Sequence, residues 1–175
     1  DFCEGTLVST GSSSLDTDIE LPTGRSLSGR ITDVDGVPLE DVRVKVNSES
    51  GHHDRDGRTD GDGRFTITGL EDSGDWSVSA FVSGYPLQWY GQSYAVDNST
   101  LITTPDVDDL GDWTLLDGIG VSGIVEGPAG PISDALVRVY SGGQVSQTST
   151  DATGNYEALG LPPGDVMSWA AADGY

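Results

Sequence analysis

The chain has 175 residues, and its 29 acidic against 8 basic side chains give a formal charge of −21 at pH 7. A surface that binds nucleic acid needs clustered cations, so this charge excludes DNA and RNA as partners. No window approaches the ~20 apolar residues of a transmembrane helix, and the single cysteine, Cys3, excludes a disulfide framework within the sequence.

Apolar and polar residues alternate in a series of short runs, which is the pattern of half-buried β-strands. In chain order the predicted strands are 27–32, 42–46, 65–67, 76–82, 100–104, 112–116, 121–125, 135–140, 155–158 and 166–172. Turn dipeptides separate them, among them Asp35-Gly36, Asp56-Gly57, Asp62-Gly63 and Pro163-Gly164. No stretch keeps the 3.6-residue period of a helix over three turns, so the sequence predicts an all-β chain.

The sequence also contains an internal repeat. The segment DIELPTGRSLSG at 18–29 corresponds to DWTLLDGIGVSG at 112–123, which is an offset of 94 residues. Further on, TDGDGRFTITGL at 59–70 corresponds to TDATGNYEALGL at 150–161, at an offset of 91. A period near 94 residues matches a complete small β-sandwich and is too long for one solenoid unit.

The repeat divides the chain into three predicted parts. Residues 1–23 are the final strands of a preceding repeat, residues 24–117 form one complete β-sandwich repeat, and residues 118–175 form a repeat that lacks its last strands. An open sandwich of this kind would expose an unpaired strand edge. Either further sequence completes it, or residues 1–21 of another copy do so by strand complementation, which would build a head-to-tail polymer.

Two long segments carry a family resemblance. These are SGRITDVDGVPLEDVRVKV in the first copy and VSGIVEGPAGPISDALVRVY in the second. Their order resembles the carboxypeptidase regulatory-like domain and its Cna-B-type, prealbumin-like relatives in bacterial or archaeal surface proteins. The resemblance implies tandem Greek-key β-sandwich modules of the prealbumin or immunoglobulin type. Such modules serve as stalks, spacers and adhesive elements, and some accompany secreted peptidases or glycoside hydrolases.

The function expected from this resemblance is structural. The chain is expected to be a non-catalytic, extracellular module of a stalk, fibre or adhesin, and its expected partners are neighbouring repeats, other copies, or a cell-surface glycan or protein. The alternative is a carbohydrate- or protein-binding accessory module of a secreted enzyme. No catalytic residues are predicted, because the only histidines are the adjacent His52 and His53 and no Gly-x-Ser-x-Gly motif is present.

The acidic segment DRDGRTDGDG contains four aspartates at alternating or near-alternating positions: Asp54, Asp56, Asp60 and Asp62. Calcium prefers oxygen ligands in this kind of loop, so calcium is a possible cofactor here. The pattern lacks the bidentate acid of an EF-hand loop. A hairpin turn explains the same residues without metal, since an aspartate accepts backbone N–H bonds and a glycine supplies positive φ.

The segment YPLQWYGQSY, residues 85–94, is the aromatic segment of the chain and its best candidate for ligand binding. Trp89, Tyr90 and Tyr94 would stack on sugar rings or anchor a protein partner if they are exposed. The alternative is that Trp89 or Tyr90 closes one end of the sandwich core. Trp76 and Trp113 are expected in the core, and Trp169 occupies a similar strand position in the second copy.

Three further residues give weaker indications. Lys45, the only lysine, alternates with valines and is expected to point outward, which argues against an internal Lys–Asn isopeptide bond. Asn98 begins an Asn-Ser-Thr glycosylation sequon. Cys3 is either a buried thiol or the partner of a cysteine elsewhere.

Overall fold

The computed structural model describes residues 24–49 and 54–174. The strands in these ranges follow in chain order, with a short 3-10 helix at Val96–Asn98 between the sixth and seventh: β1 (Arg25–Thr32), β2 (Arg43–Ser48), β3 (Arg55–Arg58), β4 (Arg64–Leu70), β5 (Gly74–Phe81), β6 (Gln88–Trp89), β7 (Ile102–Thr104), β8 (Asp109–Thr114), β9 (Ile119–Ile124), β10 (Glu126–Gly127), β11 (Gly130–Pro131), β12 (Leu136–Ser141), β13 (Gln144–Ser149), β14 (Asn155–Leu161) and β15 (Val166–Ala171).

The first sandwich is built from β1 to β8. One sheet has the order β4-β1-β8, in which β1 is antiparallel to β4 and parallel to β8. The other has the order β3-β2-β5, and both β6 and β7 add to the free side of β5. Inward side chains of both sheets form one core: Leu27, Ile31, Val42, Val44, Val46, Phe65, Ile67, Leu70, Trp76, Val78, Ala80, Ile102, Leu110, Trp113 and Leu115.

The second sandwich is smaller and uses the same pairing scheme. Strand β9 pairs with β14 as β1 pairs with β4, and β12 lies between β13 and β15 as β2 lies between β3 and β5. Its core is Val137, Val139, Ala158 and Leu161. Within the described residues, no strand lies beside β9 where β8 lies beside β1, and none lies on the outer side of β15.

The predicted all-β sandwich is confirmed, and two parts of the strand assignment are wrong. The expected turn at Asp56-Gly57 lies inside strand β3, and the alternation pattern missed β13 and the two-residue strands β6, β10 and β11. Strands β3 and β13 are both polar strands beside a more apolar one. Strand β3 pairs with β2 along its whole length, and two exposed ion pairs add to this contact: Arg43 with Asp56 at 3.3 Å and Lys45 with Asp54 at 2.8 Å. The proposed boundaries near residues 24 and 118 stay predictions.

The repeated Thr-Asp-x-x-Gly segment has the same role in both sandwiches. The Thr59 hydroxyl donates to the Leu39 carbonyl at 2.6 Å and accepts the Val42 N–H at 2.9 Å. Thr150 makes the matching pair of bonds, to the carbonyl of Ile132 at 2.7 Å and from the N–H of Ala135 at 2.9 Å. The buried hydroxyl thereby satisfies the backbone at the entry to β2 and to β12, because an unpaired buried backbone group is costly.

Candidate functional site

The predicted ligand residues Trp89 and Tyr90 lie against the first sandwich. Trp89 is on β6, opposite Ser79 of β5. The Tyr90 ring meets the buried Trp113 ring edge to face, with 5.6 Å between centroids and 88° between planes. The Tyr90 hydroxyl donates to the Leu110 carbonyl at 3.3 Å. Tyr90 therefore covers one end of the first core, as the alternative interpretation of the aromatic segment expected.

Tyr94, the third predicted ligand residue, lies where the two sandwiches meet. Its hydroxyl is 3.5 Å from the Asp117 carbonyl, in the short connection between β8 and β9. Burial, and next the nearby Asp117 carboxylate, raise the pKa of Tyr94 above its ordinary value. The pKa of Tyr85 is raised as well, first by burial and then by the charges of Asp117, Asp33 and Asp35. Both phenols thus stay neutral at any physiological pH, and ligand binding by these side chains stays a prediction.

Two glutamines hold the aromatic segment in place at this joint. The fully buried Gln88 pairs its side-chain amide with the backbone of Leu116, each group donating one bond of 2.8 Å to the other. Gln144 of β13 does the same to Leu87: the Leu87 N–H donates to Oε1 at 2.8 Å, and Nε2 donates to the Leu87 carbonyl at 2.7 Å. Nε2 also lies 3.3 Å from the Tyr94 carbonyl. We call the Leu87–Gln144 pair the joint clamp.

Two glycines allow the sandwiches to approach closely. A Cβ on Gly118 would lie 2.8 Å from Pro86 Cδ and 2.9 Å from the Leu161 carbonyl oxygen. A Cβ on Gly160, which has a φ of +73°, would lie 3.0 Å from the Tyr85 carbonyl oxygen. The residues that meet at this joint are far apart in the chain, so the sequence alone does not predict their contacts.

Three of the four aspartates in the predicted calcium loop have different partners. Asp54 and Asp56 form the ion pairs with Lys45 and Arg43 described above. Asp60 accepts the backbone N–H groups of Asp62 and Arg64 at 3.0 and 2.9 Å, as expected of a hairpin turn. Residues 24–49 and 54–174 bring no three metal-ligating side chains together. Calcium binding by this loop stays a prediction.

The matching turn of the second sandwich has one aspartate. Asp151 accepts bonds from the Thr153 hydroxyl and N–H, both at 2.8 Å, and from the Asn155 N–H at 2.9 Å. These bonds, the Thr153 hydroxyl foremost, lower the pKa of Asp151 below its ordinary value. The carboxylate therefore stays charged, and the turn stays bonded, into more acidic solutions than an ordinary aspartate would allow.

The expectation for Trp169 is wrong, whereas Trp76 and Trp113 are buried as predicted. Trp169 is 50% exposed, because it pairs with Arg138 of β12 and so shares the outward side of the sheet with it. The guanidinium carbon of Arg138 lies 5.8 Å from the centroid of the Trp169 ring. Beside them lie the exposed side chains of Tyr140, Val145 and Met167.

Other predicted residues are placed as follows. Lys45 points outward, as expected, and pairs with Asp54. Asn98 is exposed at the end of the 3-10 helix, where an attached glycan would meet solvent. His52, His53, Cys3 and residues 1–23 lie outside the described residues. In the part of the chain that the structure describes, no helix has the length and apolar character needed to cross a membrane.

Comparison with known proteins supports the resemblance for the first copy. Residues 26–105 match the model of the carboxypeptidase regulatory-like domain. No curated protein matches the sequence.

Several solved structures are similar to parts of the chain. A streptococcal ancillary pilin is 17% identical, over 85% of this chain and 54% of its own, with a TM-score of 0.44. The Bacillus anthracis TIE protein is 17% identical, over 87% of this chain and 29% of its own, with a TM-score of 0.35. A Ca²⁺-stabilised adhesin with which an Antarctic bacterium binds ice is 12% identical, over 81% and 41%, with a TM-score of 0.25. The chain spans about half or less of each of these proteins.

Proposed function

We propose that the chain, whose residues 26–105 match the model of the carboxypeptidase regulatory-like domain, is a non-catalytic, extracellular spacing module of a stalk, fibre or adhesin. Its role is to hold consecutive sandwiches at a fixed distance and angle. The observation that carries this proposal is the joint clamp, in which one side chain of the second sandwich forms two short bonds to the backbone of the first. A joint that only tethered two domains would need no such bonds.

The other features of the joint support the same role. The connection between β8 and β9 is residues 115–118, and a linker this short leaves little freedom by itself. Leu115 is buried in the first core, and Leu116 is bonded to Gln88. The connection is therefore part of the folded structure and cannot act as a flexible hinge.

Replacing Gln144 with alanine is expected to loosen the joint without unfolding either sandwich. The change removes the bonds to Leu87 and leaves both cores untouched. Double electron–electron resonance measures this directly, with spin labels on Glu40→Cys and Asp165→Cys in a Cys3→Ser background. Glu40 and Asp165 are exposed and belong to different sandwiches. The distribution of label distances should be narrow in the parent and clearly broader in the Gln144→Ala variant.

A matched control lies on the same strand. Gln147 is bonded to Arg138 at 2.9 Å on the sheet surface, away from the joint. The Gln147→Ala variant should keep the narrow distribution. Equal widths in the parent and the Gln144→Ala variant would contradict a clamped joint.

We further propose head-to-tail assembly by strand complementation as one way in which the module builds a fibre. In the described residues β9 has a partner on one side only, where β1 has β8 as its second partner. Residues 18–21 correspond to residues 112–115 in the internal repeat, and the latter segment includes the end of β8. A segment with that sequence suits the open edge of β9, because exposed edges accept a further strand.

Deleting residues 1–23 is therefore expected to abolish assembly of the chain. Sedimentation velocity at micromolar concentrations, with a reductant to exclude Cys3 disulfides, should detect oligomers of the full chain and only monomers of the deletion variant. Deletion of residues 1–5 alone is the control and should leave the oligomers intact. A full chain that is monomeric throughout would contradict strand complementation, although it would leave the spacing role standing.

A further inference from the structure

The loop between β6 and β7 contains a modification motif that the spacing role does not use. Asn98-Ser99-Thr100 is the only Asn-x-Ser/Thr triplet in the sequence, since Asn47 is followed by Ser-Glu and Asn155 by Tyr-Glu. Such a triplet is the acceptor for asparagine-linked glycans in exported proteins. The motif is short, so the position of Asn98 in the fold decides whether it can serve as an acceptor.

Backbone hydrogen bonds hold this loop at both of its ends. Trp89 and Ser93 bond to each other twice: the Trp89 N–H donates to the Ser93 carbonyl at 2.7 Å, and the Ser93 N–H donates to the Trp89 carbonyl at 3.1 Å. At the other end, the Thr100 N–H donates to the Tyr90 carbonyl at 2.8 Å. In this sandwich β5 has strands on both of its sides, so the loop is seen against both neighbours. The triplet is therefore presented at a defined place.

The triplet is accessible at that place. Asn98 is exposed and is the last residue of the 3-10 helix. The chain then leaves the helix at Ser99, which is extended with a φ of −72° and a ψ of 152°. Thr100, the third residue of the triplet, is exposed as well. Both residue types that define the motif are thus presented at the surface.

Asn98 also lines a cavity between the two sandwiches, which has a volume of about 510 Å³. Tyr94 and Asn98 line it from the first sandwich, and Pro162 and Pro163 line it from the second. None of the described residues that line it is charged, although the chain carries 29 acidic side chains. We call it the joint cavity. Its volume lies within the range of about 300–1,000 Å³ that is usual for small-molecule sites.

We propose that Asn98 carries an asparagine-linked glycan and that the first sugar of this glycan lies in the joint cavity. The apolar C–H side of a sugar ring suits stacking on Tyr94, and the two prolines supply an apolar wall from the second sandwich. The rest of the glycan continues into solvent from the exposed position of Asn98. The sugar would then contact both sandwiches, on a side of the joint that the joint clamp does not fill.

The attachment requires a lipid-linked oligosaccharide as the sugar donor and an oligosaccharyltransferase as the catalyst. The Nδ2 atom of Asn98 forms a bond to C1 of the donor sugar, and the bond between that carbon and the phosphate oxygen of the lipid carrier breaks. The phosphate leaves with the electron pair, and the amide proton passes to a base of the transferase. Because this transfer acts on chains that are exported, the inference rests on the extracellular location proposed above.

The first test is mass spectrometry of the chain collected from the surface or the medium of the cells that produce it. Chymotrypsin cleaves after aromatic residues and leucine, so it releases residues 95–101 as one peptide. This peptide should carry one or more sugar residues. Thr100→Ala should abolish the modification and Thr100→Ser should keep it. The peptides that contain Asn47 and Asn155 are the internal control and should be unmodified.

The second test locates the first sugar by nuclear magnetic resonance of the glycosylated chain. Nuclear Overhauser effects should connect protons of this sugar to the Tyr94 ring and to Pro162 or Pro163. Tyr94→Ala should leave the glycan attached and weaken its contacts with the prolines. Tyr94→Phe is the matched control, because it keeps the ring and removes only the hydroxyl, and it should keep those contacts.

Three results would overturn the proposal. An unmodified 95–101 peptide in a chain recovered outside the cytoplasm would overturn this inference and leave the spacing role standing. A chain recovered only from the cytoplasm would overturn the extracellular role and this inference with it. A glycan on Asn98 whose first sugar contacts neither Tyr94 nor the prolines would overturn its placement in the joint cavity.

Discussion

Replacing Trp113 with alanine is expected to lower the free energy of unfolding of the first sandwich by about 3–5 kcal/mol. Trp113 is 3% exposed in the core, and its ring also supports Tyr90 at the end of the sandwich. Its removal leaves a large cavity and takes the packing partner from Tyr90. Urea denaturation followed by tryptophan fluorescence measures the loss, because Trp76 and Trp89 remain as reporters in the same sandwich.

The indole N–H of Trp113 provides a finer comparison. This group is buried and has no hydrogen-bond partner among residues 24–49 and 54–174, whereas the N–H of Trp76 donates to the Thr104 hydroxyl at 3.3 Å. Trp76→Phe should therefore cost about 1 kcal/mol more than Trp113→Phe, since only the first change breaks a hydrogen bond. Equal costs would show that the hydrogen bond between Trp76 and Thr104 adds nothing to stability. A small effect of Trp113→Ala would contradict the role of this ring in the core.

Gly63→Ala is the second substitution with a large expected effect, at least about 3 kcal/mol. Gly63 has a φ of +74°, and a Cβ there would lie 2.3 Å from the Ile31 carbonyl oxygen. That carbonyl belongs to β1, so the turn cannot move without disturbing a central strand. Thermal or urea unfolding of the variant measures the loss.

A comparison with Gly36 separates the two causes of this destabilisation, which are backbone strain at positive φ and the close contact of the new Cβ with Ile31. The φ of Gly36 is +80°, but a Cβ there would meet nothing within 4 Å. Gly36→Ala should therefore show only the backbone strain, about 1–2 kcal/mol. If the two alanine variants lost equal stability, the contact with Ile31 would not matter, and the Thr-Asp-x-x-Gly turn would be an ordinary turn.

The sequence predicted those strands that bury one face in a core. Val42, Val44 and Val46 alternate with polar residues, and they are buried as that pattern requires. Strands β3 and β13 escaped prediction because each lies at a sheet edge and is held by pairing with a neighbour and by polar contacts. Their own side chains contribute little to either core, so they carry no apolar period.

Trp169 shows a different limit. The sequence comparison placed it near the position of Trp76, but the strand pairing aligns Val166 with Trp76 and Trp169 with Ser79. The two alignments differ by three residues, and a shift by an odd number of residues moves a side chain to the opposite face of a sheet. A tryptophan is compatible with either face of a sheet, so the residue type alone does not predict whether Trp169 points toward the core or toward solvent.

The contacts across the joint could not be predicted from the sequence, because the residues that make them are far apart in the chain. Leu87 and Gln144 are 57 residues apart, and neither has a chemistry that marks it as part of a site. In the sequence, Gln144 cannot be distinguished from a surface glutamine, because its bonds to the Leu87 backbone exist only in the folded structure. The aromatic segment, by contrast, drew attention through its composition, and most of its rings are used in packing.

The parallel pairing of β1 with β8 has a mechanical consequence. Ser28 lies beside Asp109 and Thr32 beside Thr114, so the strand that opens the first sandwich and the strand that closes it run in the same direction. A pull on the two ends of this sandwich acts along both strands in opposite senses. It loads the hydrogen bonds between them in shear, all at once, and cannot peel them apart one by one. The first sandwich is thus built to resist tension along the axis on which a chain of such modules would be stretched.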